Sequence, residues 1–342
     1  MIDLFNVYSH SPIWVQNKMC SLQGYLIKKR RLGSGFHSEL KKYLHQEYNQ
    51  KKELTRFLNV AKKVDAYKDI IGNQVIDEDN VYEIIKLFPI INKTIVKNHI
   101  KAYTNSHYEG KIIEMRTSGT TGGALIFPYT VKMENKQWAI WWRYRIRLGL
   151  QLDTWCGWFG GKKIISLKQR KAPFWRINKG AKQVMFSSDH LTNENANLYR
   201  NEIEKRSLTW LHGYPSHIAR LSSFIINEGL KPVECVSIVT TGAENILPNQ
   251  VELIKTAFPN AIVRQHYGLN EGVANISQDI NEEWHVDDDF CFVEFIPVSS
   301  EEPNVCRIVG TGFSNDAFPL IRYDTGDLAT VENAKSMMAL RI

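Results

Sequence analysis

Seven consecutive residues, Thr117-Ser118-Gly119-Thr120-Thr121-Gly122-Gly123, carry four hydroxyl side chains and three glycines. Such a run makes a poor helix and a poor strand, but a good loop. Glycine lets backbone N–H groups come close to an anion, and hydroxyls donate further hydrogen bonds. The stretch that starts at Lys111 reads as a short strand running into this loop, and a tryptophan-rich helix is expected at roughly 131–148 after it. A loop between strand and helix can wrap a polyphosphate. The same composition also suits a polar surface turn, and composition leaves the two readings about even. Other phosphate and nucleophile motifs fit poorly. There is no G-x-x-x-x-G-K-[ST], no G-x-G-x-x-G after a strand, and no G-x-S-x-G that would make Ser118 a hydrolase nucleophile.

The elements that must position this loop read as an α/β chain. Residues 1–70 carry apolar side chains at helical spacing, among them Leu40, Tyr43, Leu44, Leu54, Phe57 and Leu58. A further helical stretch at 78–100 breaks at Pro89. From residue 160 onward strands and helices alternate. Strands are expected at 164–167, 209–213, 236–242 and 262–268, with helices at 192–206, 215–228 and 248–257. This alternation implies a largely parallel sheet flanked by helices. After residue 284 the chain turns β-rich, at 290–297, 305–312 and 320–323.

The 342 residues suit one large or two ordinary domains, with 43% hydrophobic and 23% charged residues. No apolar run reaches the ~20 residues that span a bilayer, and no basic start with an apolar stretch marks a signal peptide. A cytoplasmic protein is the resulting expectation. Cys20, Cys156, Cys235, Cys291 and Cys306 are widely spaced, without a C-x-x-C pair, and read as reduced thiols that pack as small hydrophobes. The net charge of +7 is local, because residues 1–63 hold twelve Lys or Arg against four acidic residues. No nucleic-acid motif accompanies that segment, so no nucleic acid is expected as partner. A solvated helix face explains it, as does a peripheral membrane or protein partner.

Here the motifs carry a resemblance. The 117–122 segment resembles the phosphate-binding loop of the adenylate-forming superfamily: acyl-CoA synthetases, luciferases and peptide-synthetase adenylation domains. Four further segments follow in the family's order. His212-Gly213-Tyr214-Pro215-Ser216 resembles the stretch that opens a helix beside the acyl pocket. Thr241-Gly242-Ala243-Glu244 is similar to the glycine-rich turn against adenine. Tyr267-Gly268-Leu269-Asn270-Glu271 resembles Y-G-x-[ST]-E, and Tyr323-Asp324-Thr325-Gly326-Asp327 resembles Y-x-T-G-D. Trp284-His285-Val286 before an acidic run, with Phe318-Pro319-Leu320-Ile321-Arg322-Tyr323, looks most like the phenylacetate-CoA ligase branch. Within that branch the likeness is to the CapK-type proteins of capsular polysaccharide biosynthesis.

The resemblance implies an adenylate-forming large domain of parallel sheets flanked by helices plus a β-rich part. It implies ATP, Mg2+ and a small carboxylic acid as ligands, with CoA or another acceptor for the acyl group. Thr117, Ser118, Gly119, Thr120, Thr121 and Gly122 would hold the phosphates, and Gly242, Ala243, Glu244, Tyr267 and Gly268 the adenine. Asp327 would take the ribose, Glu271 the magnesium, and Tyr214, Pro215 and His266 would line the acyl pocket. His266 and His285 read equally well as structural histidines, and Trp138, Trp141 and Trp142 as packing. The expected organisation is a helical region at 1–100, an AMP-binding core at 101–330 and a tail at 331–342.

Three features depart from the family pattern. The loop continues Gly123-Ala124-Leu125, without the Pro-Lys common there, and Asn270 replaces Ser or Thr. The chain also stops fifteen residues after Asp327. In the family a mobile C-terminal lid follows, with the catalytic lysine for adenylation. Neither Lys335 nor Arg341 matches that group, so no catalytic residue is assigned and a truncated product is expected. Two other readings stay open: a nucleotide-binding protein with little catalysis, and a pathway component that acts through the basic N-terminal segment.

Overall fold

The computed structural model describes residues 4–117 and 123–331. They form two compact units, each discontinuous in sequence. The first holds residues 4–31 and 145–266, the second 32–144 and 267–331. The strands in chain order are β1 (Ile91–Asn92), β2 (Ile112–Arg116), β3 (Ile126–Thr130), β4 (Cys156–Phe159) and β5 (Trp175–Asn178). Then come β6 (Gln183–Phe186), β7 (Trp210–Gly213), β8 (Ile238–Thr241), β9 (Ile262–Gly268) and β10 (Asn275–Gln278). The last four are β11 (Trp284–Val286), β12 (Cys291–Pro297), β13 (Val305–Gly312) and β14 (Tyr323–Thr330).

The first unit is built on a sheet in the order β5-β6-β4-β7-β8-β9. β6, β4, β7, β8 and β9 run parallel, and only β5 is antiparallel. All four residues of β8 are buried, as expected of a parallel strand covered on both faces. Leu211, Val239 and Val184 join Ile218 and Ile254 of the flanking helices in one core. Pro215–Asn227 and Pro248–Ala257 both begin with proline, whose fixed φ suits the first helical turn.

In the second unit β12, β13 and β14 form an antiparallel sheet. β1 adds to it in parallel, with Ile91 opposite Tyr323 and Asn92 opposite Asp324. β2 pairs with β3, and β10 with β11, as antiparallel hairpins. The helix Val131–Arg147 crosses from the second unit into the first. Its Arg143 is buried and bound to Asp287 at 2.7 Å and to Asp289 at 2.9 Å. Asp287 also accepts from Asn275 at 2.5 Å and Ser277 at 3.2 Å, while Trp141 donates to Asn275 at 2.9 Å. Two carboxylates of the acidic run after Trp284-His285-Val286 are therefore tied inside the fold to one buried cation. Trp138 and Trp141 meet edge to face, and Trp142 is buried, in keeping with a packing role.

Three sequence expectations are corrected. Residues 164–167 form no strand. Ile164 and Ile165 are buried in irregular chain, where Tyr8 donates to the Ile164 carbonyl at 2.8 Å. An apolar pair marks burial and not strand geometry. The strand expected at 320–323 begins only at Tyr323, because Arg322 takes a positive φ of 49°, and it continues through Thr330. β3 lies between the 117–122 segment and the helix, so that segment joins two antiparallel strands and does not open a helix. Pro128 is tolerated in β3 because the hairpin has only two strands.

All five cysteines are free. Among the described residues no helix is long and apolar enough to cross a membrane. Arg143→Ala should leave Asp287 and Asp289 buried without their cation and cost about 3–5 kcal/mol. Urea denaturation of the variant is the check, and a change under about 1 kcal/mol would contradict the internal tie.

Candidate nucleotide site

The motif residues fall into two clusters, one in each unit. In the first unit β7 runs into His212-Gly213-Tyr214 beside β8, with Gly213 opposite Thr241. A Cβ on Gly213 would lie 2.1 Å from the Phe159 carbonyl oxygen, so the close approach of β4 requires glycine. Tyr214 donates its backbone N–H to that same carbonyl at 3.0 Å, and its phenol lies against Gly161. Pro215 is buried as the first residue of its helix. The turn after β8 places Ala243 at φ 67°. Glu244 then reaches back, and its carboxylate accepts from the Ser216 hydroxyl at 2.6 Å and the Ser216 N–H at 3.4 Å. A carboxylate at a helix start is favoured by the helix dipole. The turn and the Tyr214-Pro215 corner are thus joined by one side chain. The Gly242 site faces the His266 carbonyl, 3.3 Å from where a Cβ would stand.

His212 sits beneath this corner. Its Nδ1 lies 3.1 Å from the Thr240 carbonyl and 2.9 Å from the Thr240 hydroxyl. A carbonyl only accepts, which puts the proton on Nδ1. Burial, then the charge of Arg145, then His266 push the imidazole down to about 3. His212 is therefore a neutral ring at neutral pH.

In the second unit the Tyr267 hydroxyl donates to Asp327 Oδ2 at 2.8 Å. The Tyr323 hydroxyl donates to Glu271 Oε1 at 3.3 Å. Both bonds join the Y-G-L-N-E segment to β14. Asp327 owes its direction to a kink in which Gly326 takes φ 80°. There Gly326 N–H donates to Asp324 at 3.0 Å and Asp327 N–H to the Thr325 hydroxyl at 3.1 Å. Burial raises the Asp327 carboxyl, with Asp324 repelling it and the Tyr267 bond working the other way. Burial raises Glu271 as well, against the pull of its hydrogen bonds and of the Lys93 charge.

Of the loop residues, Ser118, Gly119, Thr120, Thr121 and Gly122 lie outside the described residues. The two ends of that segment are described. Thr117 N–H donates to the Leu125 carbonyl at 3.0 Å, and Leu125 N–H donates to the Thr117 hydroxyl at 3.0 Å, which closes the base of the hairpin. Asn270 donates to the Arg116 carbonyl at 3.4 Å, so the base stands beside the Y-G-L-N-E segment. Lys335 and Arg341 also lie outside the described residues. His285 is half exposed and bonded to Asp279 at 3.3 Å, away from these groups in its own hairpin.

Sequence reasoning missed two residues here. Lys93 and Lys97 are one helical turn apart on the short helix Lys93–Asn98, capped by Asn92 through a 3.0 Å bond to Ile95 N–H. Lys97 Nζ lies 3.0 Å from where a Cβ on Gly123 would stand, and Lys93 is close enough to act on Glu271. An i, i+4 lysine pair was the available signal. Only the β1–β14 pairing tells where that pair points.

Magnesium calls for hard oxygen ligands and commonly takes one or two carboxylates together with phosphate oxygens. Glu271, buried and raised, is a carboxylate whose ionised form a nearby cation would favour. The donor set fits.

No protein-family model matches the chain. Protein CapK of Staphylococcus aureus is 29% identical over 335 residues, which cover 96% of this chain and 73% of CapK. Among solved structures, 2-hydroxyisobutyryl-CoA ligase in the postadenylation state superposes with a TM-score of 0.59 at 14% identity. That match covers 84% of this chain and 63% of the ligase chain, so the chain spans less than two thirds of that structure's length. An open conformation of the ligase with 2-HIB-AMP and CoA gives a TM-score of 0.58 at 14% identity, covering 84% of this chain and 70% of that one. The chain has the fold of this CoA ligase, which is crystallised with acyl-AMP intermediates. Along nearly its whole length its sequence is similar to that of the staphylococcal protein CapK.

The depressed His212 ring has a consequence for stability. The unfolded chain takes up a proton near pH 6.5 that the folded ring resists until about 3. Stability from His212 is complete above pH 6.5 and is lost as pH falls toward 3. The thermal midpoint should drop through that window. His212→Asn, which keeps a donor for Thr240, should show a shallower drop with little change at pH 7. An equal slope in both proteins would contradict the neutral buried ring.

Proposed function

We propose that the chain activates a carboxylic acid with ATP. A carboxylate oxygen of the acid attacks the α-phosphorus. The bond from that phosphorus to the β-bridging oxygen breaks, and pyrophosphate leaves with the electron pair. A thiol such as that of coenzyme A, or another nucleophile, then takes the acyl group and AMP departs. The likeness to CapK-type proteins favours a place in capsular or exopolysaccharide biosynthesis, and the open ligase structure with CoA favours a thiol acceptor.

One observation carries this reading. Tyr267 with Asp327, and Tyr323 with Glu271, hold a half-buried and a buried carboxylate in fixed positions beside the base of the 117–122 segment. Asp327 is assigned to the ribose hydroxyls, which donate to a carboxylate acceptor, and Tyr267 and Gly268 to the adenine. By their likeness to the family's motifs, Gly242, Ala243 and Glu244 are also proposed for the adenine, and Tyr214, Pro215 and His266 for the acyl pocket. Thr117 and the segment up to Gly122 take the phosphates. Glu271 would hold a magnesium ion, whose chemistry is to neutralise phosphate charge as it builds up. Lys93 and Lys97 bring positive charge to the same place, at the position where the sequence lacks the Pro-Lys after the loop. Attack of one anion on another is slow unless such charges are fixed before the reaction.

ATP–pyrophosphate exchange with a panel of aryl, fatty and amino acids is the test, and silence across the panel from folded protein with magnesium would sink the reading. Where exchange is found, Glu271→Gln should lower it about 10²–10³-fold. Lys97→Ala should lower exchange less, and Lys97→Arg should restore much of the loss. An unchanged rate in Glu271→Gln would remove that residue from the site.

A further inference from the structure

The helix Ile13–Arg31 is inverted relative to an ordinary surface helix. Its protein-facing side is small or polar. Gln16 accepts from Arg176 at 2.7 Å, Asn17 from Ile177 N–H at 2.9 Å, and Ser21 donates to the Ile177 carbonyl at 3.2 Å. Gly24 is in contact with Asn178, and a Cβ on Gly180 would collide with the helix backbone at Ser21 and Tyr25. These bonds fix the helix against the edge strand β5 and set which side faces outward. The outward side is apolar: Trp14 is 61% exposed, Leu22 62%, Tyr25 57% and Leu26 57%. At 100° per residue these four span about 120° of the helix surface, and Lys18 and Lys29 fall inside the same arc. Lys18 Nζ lies 4.9 Å from the centre of the Trp14 ring.

The charge around this face has one sign. Residues 4–31 contain no Asp or Glu. Exposed Lys162 donates to Gln23 at 2.9 Å, and exposed Lys163 lies over Phe5, so neighbouring chain adds positive charge beside the helix. Tryptophan and tyrosine with lysines on a single outward arc are the side chains suited to a lipid–water boundary. Rings and aliphatic groups enter the acyl edge there, while the ammonium groups stay among the headgroups. Anionic headgroups complete the charge match.

We propose that the outward face of Ile13–Arg31 docks the protein on an anionic lipid surface. The helix lies flat on the boundary, with Trp14, Leu22, Tyr25 and Leu26 inserted and Lys18 and Lys29 against the headgroups. The docking is independent of the assignment of the nucleotide site and is tested apart from it.

The experiment is co-sedimentation of the full chain with vesicles of phosphatidylcholine containing one third phosphatidylserine, beside pure phosphatidylcholine. The wild type should partition at least tenfold more strongly onto the anionic vesicles, and the difference should shrink at 0.5 M salt. Leu22→Ser with Leu26→Ser should lower partition at least tenfold with an unchanged thermal midpoint. If that variant folds poorly, Lys18→Glu with Lys29→Glu, at two exposed positions, should give the same loss. No partition of the wild type onto anionic vesicles overturns the proposal, as does partition that survives the changes in a folded variant. So does a folded Leu22→Ser/Leu26→Ser protein whose only change in analytical ultracentrifugation is loss of a dimer, which assigns the face to a second copy of the chain.

Discussion

Two phenol–carboxylate hydrogen bonds govern the second unit: Tyr267 to Asp327 and Tyr323 to Glu271. Each bond joins the Y-G-L-N-E segment, which spans the end of β9 and the residues after it, to β14, and the two run in opposite senses. One phenol comes from the Y-G-L-N-E segment and its carboxylate from β14, while the other phenol comes from β14 and its carboxylate from Y-G-L-N-E. A shift of either segment along the other breaks both. Buried carboxylates are costly unless they are bonded. Their burial therefore makes the register of the two segments specific as well as stable.

β1 extends this arrangement. Two residues, Ile91 and Asn92, pair with Tyr323 and Asp324 at the start of β14, and the chain then turns directly into the helix that carries Lys93 and Lys97. The side chain of Asn92 caps that helix. Arg322, at positive φ just before β14, binds Glu294 at 2.9 Å and the Phe88 carbonyl at 2.9 Å, which holds the chain on both sides of the pairing. Two strand residues suffice because neighbouring side chains already fix both partners.

What could be read from the sequence divides by range. The five motifs were legible because each is local: glycine, hydroxyl and carboxylate positions sit within a few residues of one another. The helices Pro248–Ala257 and Pro215–Asn227 and the strand β9 were legible from proline starts and apolar runs. β3 was not, because Pro128 in a five-residue stretch reads as a breaker until the two-stranded hairpin is known. Ile164 and Ile165 misled because burial alone does not select an extended backbone. Lys93 and Lys97 could not be assigned, since their surroundings depend on a pairing between residues 91–92 and 323–324 that no local pattern announces. The outward face of Ile13–Arg31 was hidden for a related reason. The small and polar side of that helix is the covered one, the reverse of what an apolar stripe announces, and only the bonds to Arg176 and Ile177 reveal it.

The charges of the second unit now make physical sense together. Glu271 is buried and Asp327 half-buried, and desolvation raises the titration of each. Nothing in fold stability requires two such carboxylates side by side; apolar residues of similar size would pack at lower electrostatic cost. Lys93 offsets part of the repulsion at Glu271 from a half-buried position. A cation at Glu271 and ribose hydroxyls at Asp327 would supply the remainder, so a nucleotide with its metal would offset the cost of placing both carboxylates here. Groups whose titration is displaced by burial and by each other gather where proteins bind or react. Arg143, Asp287 and Asp289 make the instructive contrast within the same unit. There the cation belongs to the protein, one guanidinium binds both carboxylates, and the cluster serves the fold.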